Sequence, residues 1–210
     1  MQSHLMDTKW AEENLRTIRT LMERSALYRR ALAPIMLLAG ALGSAAAAIG
    51  ILFHVDAFDG FLALWFVTAA VAVLGALLIA RRQAIKDKEA FWSPPTRRVA
   101  HALLPPLLSG MFWGIFPAFL HVPSEADFLV ALAWVLFYGF ALHAAGFFIS
   151  RGVRWFGWAY VASVPCIMVI LAVAKPDNLN AHWVMGFFFG ALHLAYGTYL
   201  YLTEKGKKAT

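Results

Sequence analysis

The chain has 210 residues, of which 61% are hydrophobic and only 14% charged, and its formal net charge is +6. A soluble domain is roughly a quarter charged and half apolar, so the composition excludes an ordinary cytosolic globule, a disordered chain and a nucleic-acid-binding domain. The one cysteine, Cys166, excludes a disulfide framework and any cysteine-based zinc or iron–sulfur site.

The first expected element is an amphipathic helix over residues 7–30. Asp7 can cap it, Glu12 and Glu13 sit in its early turns, and Arg29 and Arg30 sit at its end, which suits the helix dipole. Ala11, Leu15, Ile18 and Met22 recur at helical spacing, with Glu13, Arg16 and Glu23 on the opposite face. Such a helix lies on the membrane surface or under a bundle, or docks a cytosolic partner or a second copy.

Six apolar stretches follow, at 31–54, 61–80, 99–120, 127–150, 153–174 and 181–202. Each is about the 20 residues a membrane span needs, and a single span can satisfy its backbone only as a helix. The sequence therefore predicts an all-α, polytopic membrane protein: a cytoplasmic helix in residues 1–30, a six-helix bundle in 31–202, and a short tail in 203–210.

Charge orients this bundle. Seventeen of the 18 cations flank the start of span one, the segment 81–98, the turn around Arg151 and Arg154, and the C-terminus, and only Lys175 lies on the other side. That other side carries Asp56, Asp59, Glu125, Asp127 and Asp177. The positive-inside rule then places both termini in the cytoplasm, as an even number of spans also requires. The compact loops suggest a bacterial inner membrane. No cleavable signal peptide is expected, because some thirty polar and charged residues precede the first span.

Packing signals are plentiful. Span one carries Gly40, Gly43, Ser44 and a run of alanines, span three has Gly110 and Gly114, and span six has Gly186 and Gly190. Small residues let helices approach closely in lipid, and they also permit an oligomer. Spans one, three and five contain proline, at Pro34, at Pro105, Pro106 and Pro117, and at Pro165. Trp155, Trp158 and Trp183 suit the interfacial aromatic belt.

Two intramembrane histidines are the most informative residues. His143 lies inside span four and His193 inside span six. At α-helical spacing His143 shares a face with Gly139 and Gly146, and His193 with Gly190 and Gly197. Ionisable groups in a membrane face the interior or a cavity. The pair, with Tyr138 nearby and glycine leaving room for a flat molecule, would suit a small-molecule or proton site, or a haem held by two imidazoles. The plainer reading is a neutral histidine hydrogen-bonded to a backbone carbonyl, Tyr138, Tyr196 or Ser163. A weaker group, His54, His121 and His182, lies near the outer span ends beside carboxylates and is a candidate divalent-metal site.

No carboxylate lies within a span away from its ends, and no phosphate-binding loop, metalloprotease motif or nucleophile elbow occurs. The motifs therefore favour a non-catalytic module over an enzyme. The stretch Leu15-Arg-Thr-Ile-Arg-Thr-Leu-Met-Glu-Arg-Ser25, together with Trp134, Tyr138-Gly139, the Arg154 region, Gly190-Ala-Leu-His193 and Gly197, resembles an uncharacterised family of small bacterial membrane proteins. His143 departs from that family's pattern. Members look like frequent companions of winged-helix regulators, so the resemblance implies a membrane partner of a cytosolic regulator. The expected function is a sensory or regulatory membrane module engaging that partner through residues 7–30 and 81–98. The alternative is a transporter or redox protein built on His143 and His193.

Overall fold

The computed structural model describes residues 31–119, 126–174 and 180–208. The amphipathic stretch 7–30 and His121 lie outside them. Among the described residues the structure is all helical: α1 (Ala31–Leu52), α2 (Phe58–Lys86), α3 (Pro94–Phe119), α4 (Ala126–Gly146), α5 (Arg151–Ala174), α6 (Ala181–Met185), a π-helical segment (Gly186–Leu192) and α7 (His193–Lys208). Helices α1 to α5 are each long and apolar enough to cross a membrane. The sixth apolar stretch is helical without interruption from Ala181 to Lys208, but a change of hydrogen-bond register divides it into three pieces.

Helix ends explain where the chain turns. Helix α1 stops when His54 enters the left-handed region, at φ 49°, and the Val55 N–H reaches back to the Gly50 carbonyl at 2.9 Å. Helix α2 stops in the same way at Lys88, φ 53°, with the Glu89 N–H on the Ala84 carbonyl at 2.9 Å. Both are Schellman closures built without glycine. Helix α3 then opens on Pro94, where a missing N–H costs nothing. The basic segment 81–98, expected as a connection, is thus mostly helix: Arg81, Arg82 and Lys86 belong to α2 and Arg97 and Arg98 to α3.

Helix α4 is the centre of the bundle. Half of its apolar window is covered, against 11% for α2, α3 and α5. It packs on α2, α3, α5 and α6, and its Val135, Ala141 and Ala145 are fully buried. A helix that is apolar on all sides belongs in the interior. The outward faces of α2, α3 and α5 carry exposed Leu74, Leu78, Leu104, Leu108, Val169 and Ile170, a surface that lipid rather than water can cover.

Helix α1 packs backbone to backbone on the α6–π–α7 rod. A Cβ on Gly43 would lie 2.3 Å from the Phe189 carbonyl oxygen, one on Gly40 2.6 Å from the Leu194 nitrogen, and one on Gly190 2.6 Å from the Ser44 hydroxyl. Gly110 and Gly114 in α3 instead make a slot for the Trp134 indole, whose N–H donates to the Gly110 carbonyl at 2.8 Å. This Gly-x-x-x-Gly seats a side chain from the neighbouring helix.

Two glycine substitutions should therefore part company. Gly43→Ala drives a methyl into backbone that cannot rotate away, so overpacking of about 1–3 kcal/mol should outweigh the roughly 1 kcal/mol gain in helix propensity. At Gly110 the nearest atom to an added Cβ is the Phe137 Cβ, at 3.3 Å, so the two effects should nearly cancel. Thermal unfolding in detergent should show a lowered midpoint for Gly43→Ala and a nearly unchanged one for Gly110→Ala.

Candidate functional site

Two histidines, His193 (1% exposed) and His182 (2%), are the buried polar side chains among the described residues. His193 opens α7, directly after the π segment. One face of its ring meets α4 and α5: the Tyr138 hydroxyl lies 2.7 Å from Nε2, and the Tyr160 hydroxyl 3.0 Å from Nδ1. The Phe188 carbonyl, five residues back in the π segment, lies 2.9 Å from Nδ1.

The carbonyl assigns the tautomer. It can only accept, so Nδ1 carries the proton and donates to it, and Nε2 accepts from the Tyr138 hydroxyl. The Tyr160 hydroxyl donates to the same Phe188 carbonyl, and its oxygen stands beside the Nδ1–H. Two side chains therefore converge on one backbone oxygen inside the π segment. Insertion of a side chain into the α-helical ladder is a recognised cause of a break in it, and π turns arise where an extra residue is accommodated. Phe156, Phe189 and Tyr138 enclose the imidazole, with ring centroids 5.6, 6.0 and 5.4 Å away.

The π segment changes which face His193 occupies. Gly190 and Gly197 pack on Ser44 and Leu37 of α1, whereas His193 points to α4 and α5. The shared glycine–histidine face expected from α-helical spacing is interrupted between Gly190 and His193, where the π segment ends, whereas His193 and Gly197 both belong to α7 and stay roughly 40° apart around it.

His143 stands apart. Tyr138 and His143 are five positions apart on α4, which places them roughly 140° from each other around the helix. The helix that offers Tyr138 to His193 must turn His143 elsewhere. The His143 ring lies edge-on to Phe147 and Trp158, at 5.3 and 5.2 Å. Its Nδ1 is buried without a hydrogen-bond partner among the described residues. Gly139 and Gly146 are packing positions against α5, touching Tyr160 and Arg154. The two histidines thus have separate surroundings, and both nitrogens of His193 already have partners, so in this arrangement neither is free to ligate a haem iron.

His182 is likewise occupied. The Trp65 indole N–H donates to its Nδ1 at 3.1 Å, and its Nε2–H donates to the Val55 carbonyl at 3.1 Å. Its own backbone N–H is capped by the Asn180 side chain at 2.8 Å. The result is a clasp tying the α1–α2 turn and α2 to the start of α6. His54 is exposed, and among the described residues no three His, Cys, Asp or Glu side chains gather closely enough to hold a metal.

Sequence reasoning missed Tyr160, the Phe188 carbonyl and Trp65. Tyr160 is the one tyrosine of α5, a signal available from the sequence, and the structure shows it fully buried. Tyr196, offered as a histidine partner, stacks on Phe156 at 4.4 Å, and the Ser163 hydroxyl donates to the Tyr160 carbonyl at 2.7 Å. In comparisons with known proteins, the chain matches no family model, no curated protein and no solved structure.

The polar core makes a stability prediction. Tyr138→Phe leaves the His193 Nε2 buried and unsatisfied, a penalty of about 1–3 kcal/mol. His193→Phe removes that orphan, so the double variant Tyr138→Phe/His193→Phe should lose less than the two single losses added together. Unfolding midpoints of the four proteins in one detergent measure the coupling, and strict additivity would show that the bond contributes nothing.

Proposed function

We propose that the chain is a six-span inner-membrane module without catalytic activity, whose histidine–tyrosine core controls the register of its last helix and transmits that state to a cytosolic partner. The observation that carries this reading is the π segment held at its Phe188 carbonyl by His193 and Tyr160.

The span count is supported by the length of the last rod. The apolar part of that rod, 181–202, has 22 residues, and a helix of that length reaches about 33 Å, enough for the hydrocarbon core. Six spans bring both termini to the side that holds Arg81, Arg82, Lys86, Arg151 and Arg154, which the positive-inside rule makes cytoplasmic. The absence of catalytic motifs in the sequence favours a module over an enzyme.

The regulatory part rests on the geometry of register. Returning the π segment to α-helix would shift the ladder by one residue and turn α7 by roughly 100° relative to α6. The side chains that hold the π register make a handful of hydrogen bonds, each contributing on the order of 1 kcal/mol. Differences of a few kcal/mol are what a ligand or partner can overcome by preferring one state. Helix α7 leads directly to the cytoplasmic tail, so a turn there reaches the side where residues 7–30 and the basic end of α2 lie. The family resemblance in the sequence adds the class of partner, a cytosolic regulator.

The test reads the cytoplasmic end of α7. In a Cys166→Ala background, spin labels at Arg81 and Leu202 report the distance between α2 and α7. Tyr160→Phe and His193→Phe, checked for retained helicity, should each shift that distance distribution, and an unchanged distribution in both folded variants would sink the register mechanism. Deleting residues 7–24 should abolish partner binding while leaving membrane insertion intact. A truncated protein that still recruits its partner would overturn the docking role of that segment.

A further inference from the structure

The seam between α3 and α4 offers a second site. At its basic end a groove of about 540 Å³ is lined by Arg97, Arg98, His101 and Phe148 among others. Further along, a groove of about 400 Å³ is lined by Leu108, Ser109, Phe112, Trp113 and Phe137. Arg97 and Leu108 are eleven residues apart, as are His101 and Phe112. That interval is three turns, so each pair stands within roughly 20° on one face of α3 and about 16 Å apart. On the neighbouring strand of chain, Phe148 and Phe137 are also eleven residues apart. Gly110 meets Phe137 and Gly114 meets Trp134, so α3 and α4 run antiparallel in matched register. The two grooves thus lie along one face of α3, one beside α4 at Phe137 and one beside Phe148, just past the end of α4.

Its dimensions and chemistry describe one kind of occupant. From Arg97 to Phe112 α3 rises about 22 Å, close to half of the roughly 40–45 Å bilayer including its headgroups. The seam is cationic at the headgroup end and apolar at the other, one leaflet deep. Arg97, Arg98 and His101 are exposed, and among the described residues no carboxylate pairs with either guanidinium. Leu104 and Leu108 continue the same face as exposed apolar surface. Basic pockets between spans on the cytoplasmic side are suited to anionic headgroups, and guanidiniums hold phosphate oxygens in a fork.

We propose that this seam binds one anionic glycerophospholipid, its phosphate on Arg97 and Arg98 beside the His101 ring, and an acyl chain along α3 into the groove at Phe112 and Phe137. Two cations that pair with no carboxylate among the described residues select an anionic headgroup over a zwitterionic one. The apolar continuation selects a lipid over a free anion or an acidic peptide, which would have no use for it. The site rests on α3 crossing the membrane and needs neither the register mechanism nor the partner.

Native mass spectrometry of the full chain in detergent, offered phosphatidylglycerol and phosphatidylcholine with identical acyl chains, tests it. The wild type should retain one phosphatidylglycerol at least tenfold over phosphatidylcholine, and millimolar inorganic phosphate should not displace it. Arg97→Gln/Arg98→Gln should lower that retention at least fivefold and leave phosphatidylcholine unchanged. Arg81→Gln/Arg82→Gln, which removes the same charge from the end of α2, should have no effect. Ser109→Trp, which fills the apolar groove, should weaken retention with both arginines in place. Equal retention of the two lipids by the wild type, equal loss in the two arginine pairs, displacement by phosphate, or an indifferent Ser109→Trp would each overturn the site. Alkaline carbonate extraction separates the premise: a released chain would overturn membrane spanning and the lipid site together, whereas a retained chain without lipid preference overturns the lipid site alone.

Discussion

A single backbone oxygen organises the centre of this bundle. The Phe188 carbonyl accepts from the Tyr160 hydroxyl of α5 and from Nδ1 of His193 in its own rod. That carbonyl is engaged from the side within the segment where the rod's hydrogen bonding changes from α to π. Because the carbonyl also fixes the histidine tautomer, Nε2 is left as an acceptor, and Tyr138 of α4 supplies the donor. Three helical elements are tied together through one imidazole, in a region where an unpaired polar group is costly.

Shape does the rest of the work. Between helices in lipid there is little hydrophobic drive, so association depends on contact and on hydrogen bonds. The rod meets α1 backbone to backbone through Gly40, Gly43 and Gly190, which leaves its opposite side free to carry Phe188, Phe189 and His193 into the core. Large side chains fill one face because glycine has emptied the other. Helix α4 can then be apolar on nearly every side, since Tyr138 and Trp134 spend their polar atoms on His193 and the Gly110 carbonyl.

The parts legible in the sequence were those that depend on averages over many residues. Apolar length and the absence of charge located the helices, and small residues in α1 and the last rod marked the face where they meet. The polar core was half legible: the sequence offered a neutral histidine a backbone carbonyl, Tyr138, Tyr196 or Ser163 as partner, and His193 takes the first two. Pairing His193 with His143 was not readable, because projecting side chains along α4 and the last rod assumes a constant 3.6-residue turn. On α4 that projection holds, and it separates His143 from Tyr138. In the last rod it fails at Gly186–Leu192, where the Phe188 carbonyl is met by Tyr160, a residue more than twenty positions away in sequence. Local pattern carries no record of such a contact. The helical ends of α2 and α3 were hidden for a related reason: Arg81, Arg82, Arg97 and Arg98 read as a loop by polarity, yet they continue helices that emerge from the apolar layer.

The two buried histidines, finally, are not equivalent. His182 and His193 are held in opposite tautomers, each donating to a carbonyl, to Val55 from Nε2 and to Phe188 from Nδ1. They differ in what faces the remaining nitrogen. At His182 it is the Trp65 indole N–H, which can only donate, so a second ring proton would set two donors against each other. At His193 it is the Tyr138 hydroxyl, which can rotate and accept instead. The outer clasp therefore has one workable arrangement, while the inner core can exchange the roles of donor and acceptor without parting its rings.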